Sequence, residues 1–158
     1  MKQFVPDSPW SAGDLLQRVG ERVAPRLDVV AWVVDDTGFP KDGRCSPGVK
    51  RQYSGTLGKI GNCQIGVSVH AVGERGTLPL GWALYLPEDW CNDPERRHRA
   101  KIRAEVRFQT KADLASALLG GAARWEIPRG PILADSDYGD DADFRAGSTT
   151  NALPTSSR

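Results

Sequence analysis

The sequence predicts an α/β fold, a mixed sheet with flanking helices. Three observations carry that expectation. Val29-Val30-Ala31-Trp32-Val33-Val34 is an unbroken apolar run rich in valine, as in a strand buried on both faces. Residues 62–72 and 80–86 alternate in polarity on either side of a turn, as an antiparallel hairpin does. A helical stretch opened by Thr110 and Asp113 then leads to a second short apolar strand, Pro131-Ile132-Leu133-Ala134.

Taken in order, the first element is a helix over Ser8 to Val23. Ser8-Pro9 has the pattern of a cap followed by the first helical residue, and Ser11 with Asp14 offers a second cap. Leu15, Val19 and Val23 recur every four residues and so share one helix face. Pro25 discourages continuation. The Val29–Val34 strand is expected to end at Asp35-Asp36-Thr37-Gly38. Residues 38–62 show little periodicity and read as irregular. In the hairpin, Cys63, Ile65, Val67, Val69 and Ala71 face one way, Gly73 to Thr77 form the turn, and Leu80, Trp82, Leu84 and Leu86 alternate on the return. Pro87 to Gln109 is polar and reads as a loop or an excursion from the domain. Leu114, Leu118 and Ala122 continue a helix to about Arg124. Asp140 to Ala146 is expected to start another helix, and residues 148–158 form a disordered tail after a domain spanning residues 1–147.

Composition bounds the function. The 158 residues suit one domain with a sizeable core. A charged fraction of 26% and a hydrophobic fraction of 39% are ordinary for a globular chain. The net charge of +1 gives no argument for a polyanionic partner, so only local clustering of charge could. No run approaches the ~18 apolar residues of a membrane span, and MKQFVPDSPW lacks a secretory apolar segment. A soluble cytoplasmic chain with no membrane partner is expected. Cys45, Cys63 and Cys91 are odd in number and form no Cys-x-x-Cys pair, which disfavours both a zinc site and a disulfide framework. A Cys63–His70 nucleophilic pair is disfavoured too, because an odd separation on a strand sends the two side chains to opposite faces.

Two features carry chemistry. Asp35-Asp36 ends one predicted strand and Asp135 ends another. Ends of neighbouring strands in an open α/β sheet line the crevice where ligands bind. Carboxylates converging there suit hard divalent cations, which prefer oxygen ligands and often hold phosphate as well. The plainer reading is that Asp35 and Asp36 merely begin a turn before Gly38. Asp137, Asp140, Asp141 and Asp143 read mainly as a solvated acidic segment. The basic residues form two runs. Lys41, Arg44, Lys50, Arg51 and Lys59 make the first, and Arg96, Arg97, Arg99, Lys101, Arg103, Arg107 and Lys111 the second. Tyr53 and Trp90 stand close to them. An isolated run of this kind is usually a solvated surface, but two runs flanking acidic strand ends suit a nucleic-acid backbone.

The stretch AWVVDDTGFPKDGRCSPGVKRQYSGTLGKIGNCQIGVSVHAV, residues 31–72, closely resembles insertion-sequence transposases of the DDE-endonuclease type. The likeness continues through PLGWALYLPEDW and ILADSDYGDDADFRAG, to residue 147. The resemblance implies a partial ribonuclease-H-like core and a three-carboxylate site binding Mg²⁺ or Mn²⁺. Asp36 matches the first catalytic and metal-binding carboxylate, with Asp35 the lesser candidate. Asp135 matches the second, with Asp137 the lesser candidate. The implied partner is DNA at transposon ends, contacted through Lys41, Lys50, Arg51, Lys59, Arg96, Arg97 and Arg99. A haloacid-dehalogenase-type phosphatase, which has Asp-x-Asp after its first strand, fits less well because Thr37 follows Asp36.

The departures are specific. The family's glutamate follows the second aspartate, whereas Glu88, Glu95, Glu105 and Glu126 all precede Asp135. The expectation is therefore a transposase fragment, inactive alone. The alternative is a non-catalytic module that binds DNA or joins and inhibits the full-length transposase. A sheet without its covering helix is expected to leave apolar surface around Trp32 and Val33 in water.

Overall fold

A computed structural model of the chain describes residues 11–139. The Ser8-Pro9 cap, the Asp140–Ala146 helix, Asp140, Asp141 and Asp143, and the tail 148–158 lie outside the described residues.

Helix α1 spans Ala12–Val23 and starts at the second of the two candidate caps, with Ser11 Oγ accepting from the Asp14 amide at 3.2 Å. Its packed face differs from the expected one. Leu15 and Val19 are exposed, while Gly20 and Ala24 are buried. The small residues win because they let the helix approach the Trp125 ring. A β-carbon at Gly20 would already lie 3.0 Å from that ring.

The five strands are β1 (Val29–Pro40), β2 (Lys50–Ser54), β3 (Lys59–Gly73), β4 (Gly76–Tyr85) and β5 (Ile132–Ala134). β3 is the organising strand. β1 runs antiparallel along one edge of it, and β2 then β4 share the other edge. β5 pairs parallel with the far side of β1, so the sheet is mixed. A parallel neighbour needs a long crossover. Here the crossover contains α2 (Glu88–Cys91), α3 (Pro94–Arg99) and α4 (Lys111–Ala122), and α5 (Ser136–Gly139) follows β5.

Several expectations change. β1 does not stop at Asp35 but continues to Pro40, because β3 pairs with it as far as Pro40↔Cys63. The turn reading of Asp35 and Asp36 is thereby overturned. Burial along the start of β1 is uneven, since Val30, at a bulge between Val29 and Ala31, is 52% exposed while Ala31, Trp32 and Val34 are buried. Residues 38–62 contain β2, a strand too short and too polar to show in its pattern. The Leu80–Leu86 alternation breaks at a bulge opposite Val69/His70. Leu80 joins the core, and after the bulge Trp82 and Leu84 turn to the open face.

The main core lies between the sheet and α4, where Trp32, Val34, Val67 and Val69 meet Ala115 and Leu119. The capping box at the start of α4 forms as expected, Thr110 and Asp113 each bonding the other's amide. Trp32 is buried, with its Nε1 donating to the Pro128 carbonyl at 3.1 Å. Beside Val33 apolar surface does face outward, its register partner Leu133 being 54% exposed, and a second exposed patch lies elsewhere on the sheet. Phe39, Trp82 and Leu84 on the face away from α4 are each exposed, and Phe39 and Trp82 have ring centroids 6.3 Å apart.

The segment 87–109 is not a plain loop. α2 and α3 close a second, smaller core of Val49, Leu86 and Trp90. Trp90 is fully buried, donates Nε1–H to the Val49 carbonyl at 2.8 Å and carries the Arg96 guanidinium 3.6 Å above its ring. No helix among the described residues is long and apolar enough to cross a membrane.

Candidate active site

The site forms where β5 ends. β5 is in register with β1 at Trp32↔Ile132, Val33↔Leu133 and Val34↔Ala134. Pairing stops there, so Asp35 and Asp135 are the next residues on the two strands and Asp36 is one step farther. β1 runs on past that point while β5 turns into α5, and the divergence opens a cleft of about 260 Å³. Its lining includes Asp35, Asp36, Asp135, Thr56 and Lys111. Asp36 and Asp135 thus meet in one cleft, although Asp36 sits within a strand and not at its end.

Strand alternation separates the two neighbouring aspartates. Asp36 shares a face with Trp32 and Val34, the face that α4 covers. There its Oδ2 is paired with the ammonium of Lys111, the first residue of α4. Asp35 faces the other way and accepts from the Asp36 amide at 2.8 Å. Its backbone carbonyl accepts from the Ser68 hydroxyl, which in turn contacts His70 at 3.0 Å. Burial lowers the His70 pKa, and the Asp35 charge only partly offsets this. Asp135 is exposed and accepts from the amide and hydroxyl of Ser136.

Next to the cleft, β1 packs closely through small residues. A β-carbon at Gly38 would lie 1.9 Å from Ser54 Oγ, so only glycine lets β1 and the end of β2 approach so closely. The Gly38 amide donates to Thr56 Oγ1 at 3.3 Å, which ties the 3₁₀ turn Gly55–Leu57 to the wall beside Asp36.

The cysteines play no part in this cleft among the described residues. Cys63 and His70 lie on opposite faces of β3, as expected. Burial pushes the Cys63 thiol up, and Cys91 is raised by the same cause, so neither is an activated thiolate. All three cysteines are free.

The donor set fits a hard divalent cation, since the described acidic groups lining the cleft are carboxylates. Among the described residues no three His, Cys, Asp or Glu side chains gather as a metal cluster. The fit is to a cation held by one or two carboxylates that keeps part of its water shell.

The basic residues divide by structure. Lys41, Arg51 and Lys59 are exposed. Arg51 shares its face of β2 with Tyr53, which reaches the cleft. Lys50 pairs with Asp89 at 3.1 Å and Arg99 with Glu95 at 3.7 Å. Arg96 stacks on Trp90 and donates to the Val49 carbonyl at 3.2 Å. Arg97 donates to the carbonyls of Arg103 and Val106, each at 2.9 Å. The last two roles hold the second core together, and a run of charges does not disclose them. The signal that points to them is Trp90, an aromatic that needs a partner for its N–H when buried. Lys111 belongs to the second basic run in sequence. Its pairing with Asp36, 75 residues away, is a site feature that the sequence reading misses.

A family model described as DDE superfamily endonuclease matches residues 1–158. The chain belongs to the DDE superfamily endonucleases. It is also 30% identical over 142 residues to the "Probable transposase for insertion sequence element IS701" of Microchaete diplosiphon, an alignment covering 89% of this chain. The chain spans 34% of the length of that relative. No solved structure matches it.

Proposed function

We propose that this chain is the portion of a DDE transposase that supplies its first two active-site carboxylates, Asp36 and Asp135, and part of its DNA contact. The observation that carries the reading is the parallel pairing of β1 with β5, which ends one residue before Asp35 and Asp135 and opens the cleft between them. Asp36 and Asp135 would hold Mg²⁺ or Mn²⁺. Such a cation, when bound, supplies charge for a developing oxyanion and lowers the pKa of water. The chain's own residues do the rest. β1, pinned by β3, fixes Asp36. The α5 turn, through Ser136, orients Asp135. Arg51 with Tyr53, Lys41 and Lys59 would track a DNA backbone beside the cleft, acting on transposon ends in the cytoplasm.

The test is calorimetric titration of the polypeptide with Mn²⁺, against an Asp36→Ala, Asp135→Ala double variant. The double variant is expected to lose affinity by more than the ~10–100-fold that follows loss of a mere supporting residue. Equal affinity in the two proteins would sink the assignment.

The same reading makes a prediction for DNA. Binding should be weak, independent of sequence and salt-sensitive, with log affinity falling as log salt rises. Neutralising Lys41, Arg51 and Lys59 together should flatten that slope by about 0.9 for each phosphate left without its cation. Filter binding across a salt series measures it. An unchanged slope would place the DNA contact elsewhere.

A second reading rests on the placement of the acidic residues. Among the described residues no three His, Cys, Asp or Glu side chains gather where they could hold a metal ion. We therefore propose that this polypeptide by itself is a DNA- or transposase-binding module without cleavage activity. Its partners would be DNA and the full-length transposase.

A further inference from the structure

One pairing in the cleft is unexplained by packing. Lys111 opens α4 and its ammonium is held against Asp36 Oδ2. A cation at a helix N-terminus opposes the macrodipole, so Lys111 is in the less favourable place for the helix itself. The capping box of Thr110 and Asp113 satisfies that helix end without it. The pair is only partly covered, with the Lys111 side chain 35% exposed and that of Asp36 23% exposed. A lysine that brings nothing to its own helix and little to the core, yet sits on a carboxylate in the cleft, is there for its charge.

We propose that Lys111 is the resident counter-ion of Asp36, displaced by the divalent cation and thereby released to a DNA phosphate in the same cleft. This rests on the reading of Asp36 as a metal ligand. The physical reason is competition for one carboxylate. An ammonium and a divalent cation held at one carboxylate repel each other and share its single negative charge, so each weakens the other's hold on Asp36. With the cation bound, Asp36 is neutralised from that side and Lys111 gives up its partner. It stays tethered to the first turn of α4, at the cleft wall. A compact ammonium with three donors and a flexible stem then serves as a point charge for a phosphate oxygen. Lys111 is on this account a positioning residue in the metal-free protein and a substrate contact in the loaded one. Cation loading and DNA binding would be coupled through a single side chain.

The experiment is Mn²⁺ calorimetry on the polypeptide, on Lys111→Met and on Lys111→Arg, with Asp36→Ala as reference. Lys111→Met removes the competitor while keeping most of the volume. It is expected to bind Mn²⁺ about two- to five-fold more tightly than the parent, the range that partly exposed ion pairs support. Lys111→Arg keeps the charge and should restore the parent affinity, which a merely structural role would not require. In saturating Mn²⁺, Lys111→Met should bind duplex DNA more weakly than the parent. Circular dichroism checks that the variants fold. If the parent binds Mn²⁺ through Asp36 but Lys111→Met binds it equally or less tightly, the exchange is overturned while the metal site stands. If neither the parent nor Lys111→Met binds Mn²⁺, or Asp36→Ala leaves binding unchanged, the metal site itself falls and the exchange with it.

Discussion

The 158-residue polypeptide, purified and given Mn²⁺ with DNA carrying transposon ends, is expected to leave both strands intact. In-line phosphodiester cleavage at a two-metal site uses one cation on the attacking oxygen and the other on the leaving oxygen. Asp35, Asp36 and Asp135 line one cleft, but among the described residues no three His, Cys, Asp or Glu side chains gather closely enough to hold a metal ion together. Losing one of two metals removes several kcal/mol of transition-state stabilisation, on the order of a thousandfold or more in rate. A nicking assay on supercoiled plasmid reads this directly. Mn²⁺-dependent nicks that vanish in Asp36→Ala would show that two carboxylates suffice and would overturn the proposal of an inactive module.

The largest stability effect is expected from Trp90→Ala. The indole is fully buried between Val49 and Leu86, donates to the Val49 carbonyl and supports Arg96 on its face. Truncating a buried tryptophan typically costs ~3–5 kcal/mol, a large part of the ~5–15 kcal/mol that holds a domain of this kind. The Val49 carbonyl is also deprived of its indole donor, and the Arg96 guanidinium of its ring. Urea denaturation monitored by circular dichroism gives the number. Trp90→Phe should recover most of the packing but not the hydrogen bond, and fall between the two. A loss below about 1 kcal/mol, small against the usual cost of such a cavity, would show that the second core does not unfold together with the sheet.

Much of the fold is legible in the sequence because the polarity pattern and the packing agree. The Cys63–Ala71 alternation is the core face of β3, and each of Cys63, Ile65, Val67, Val69 and Ala71 is buried. Thr110 and Asp113 announce α4 because their side chains satisfy the helix end locally. The pattern misleads where tertiary contact overrides local signal. Asp35 to Gly38 looks like a turn, yet β3 supplies a partner for every one of those residues. Leu15 and Val19 look like a buried stripe, yet Gly20 packs closer because it is smaller. The bulge opposite Val69 reverses the faces of β4, and nothing in the spacing of Leu80, Trp82 and Leu84 marks it. In the site, the aspartates stand out by their flanking apolar runs. The Lys111 partner does not, because a pairing across 75 residues leaves no periodic trace.

β5 has only three residues, and β1 alone holds it in the sheet through three register pairs and the hydrogen bond from the Trp32 amide to the Pro131 carbonyl. Asp36 lies on the first of the described strands and Asp135 just past the last. During synthesis on the ribosome, Asp36 can be set in its pairing with β3 long before Asp135 has emerged. The acidic cleft therefore cannot exist on a nascent chain until nearly all of the described residues are made and the crossover helices have carried the last strand back to β1.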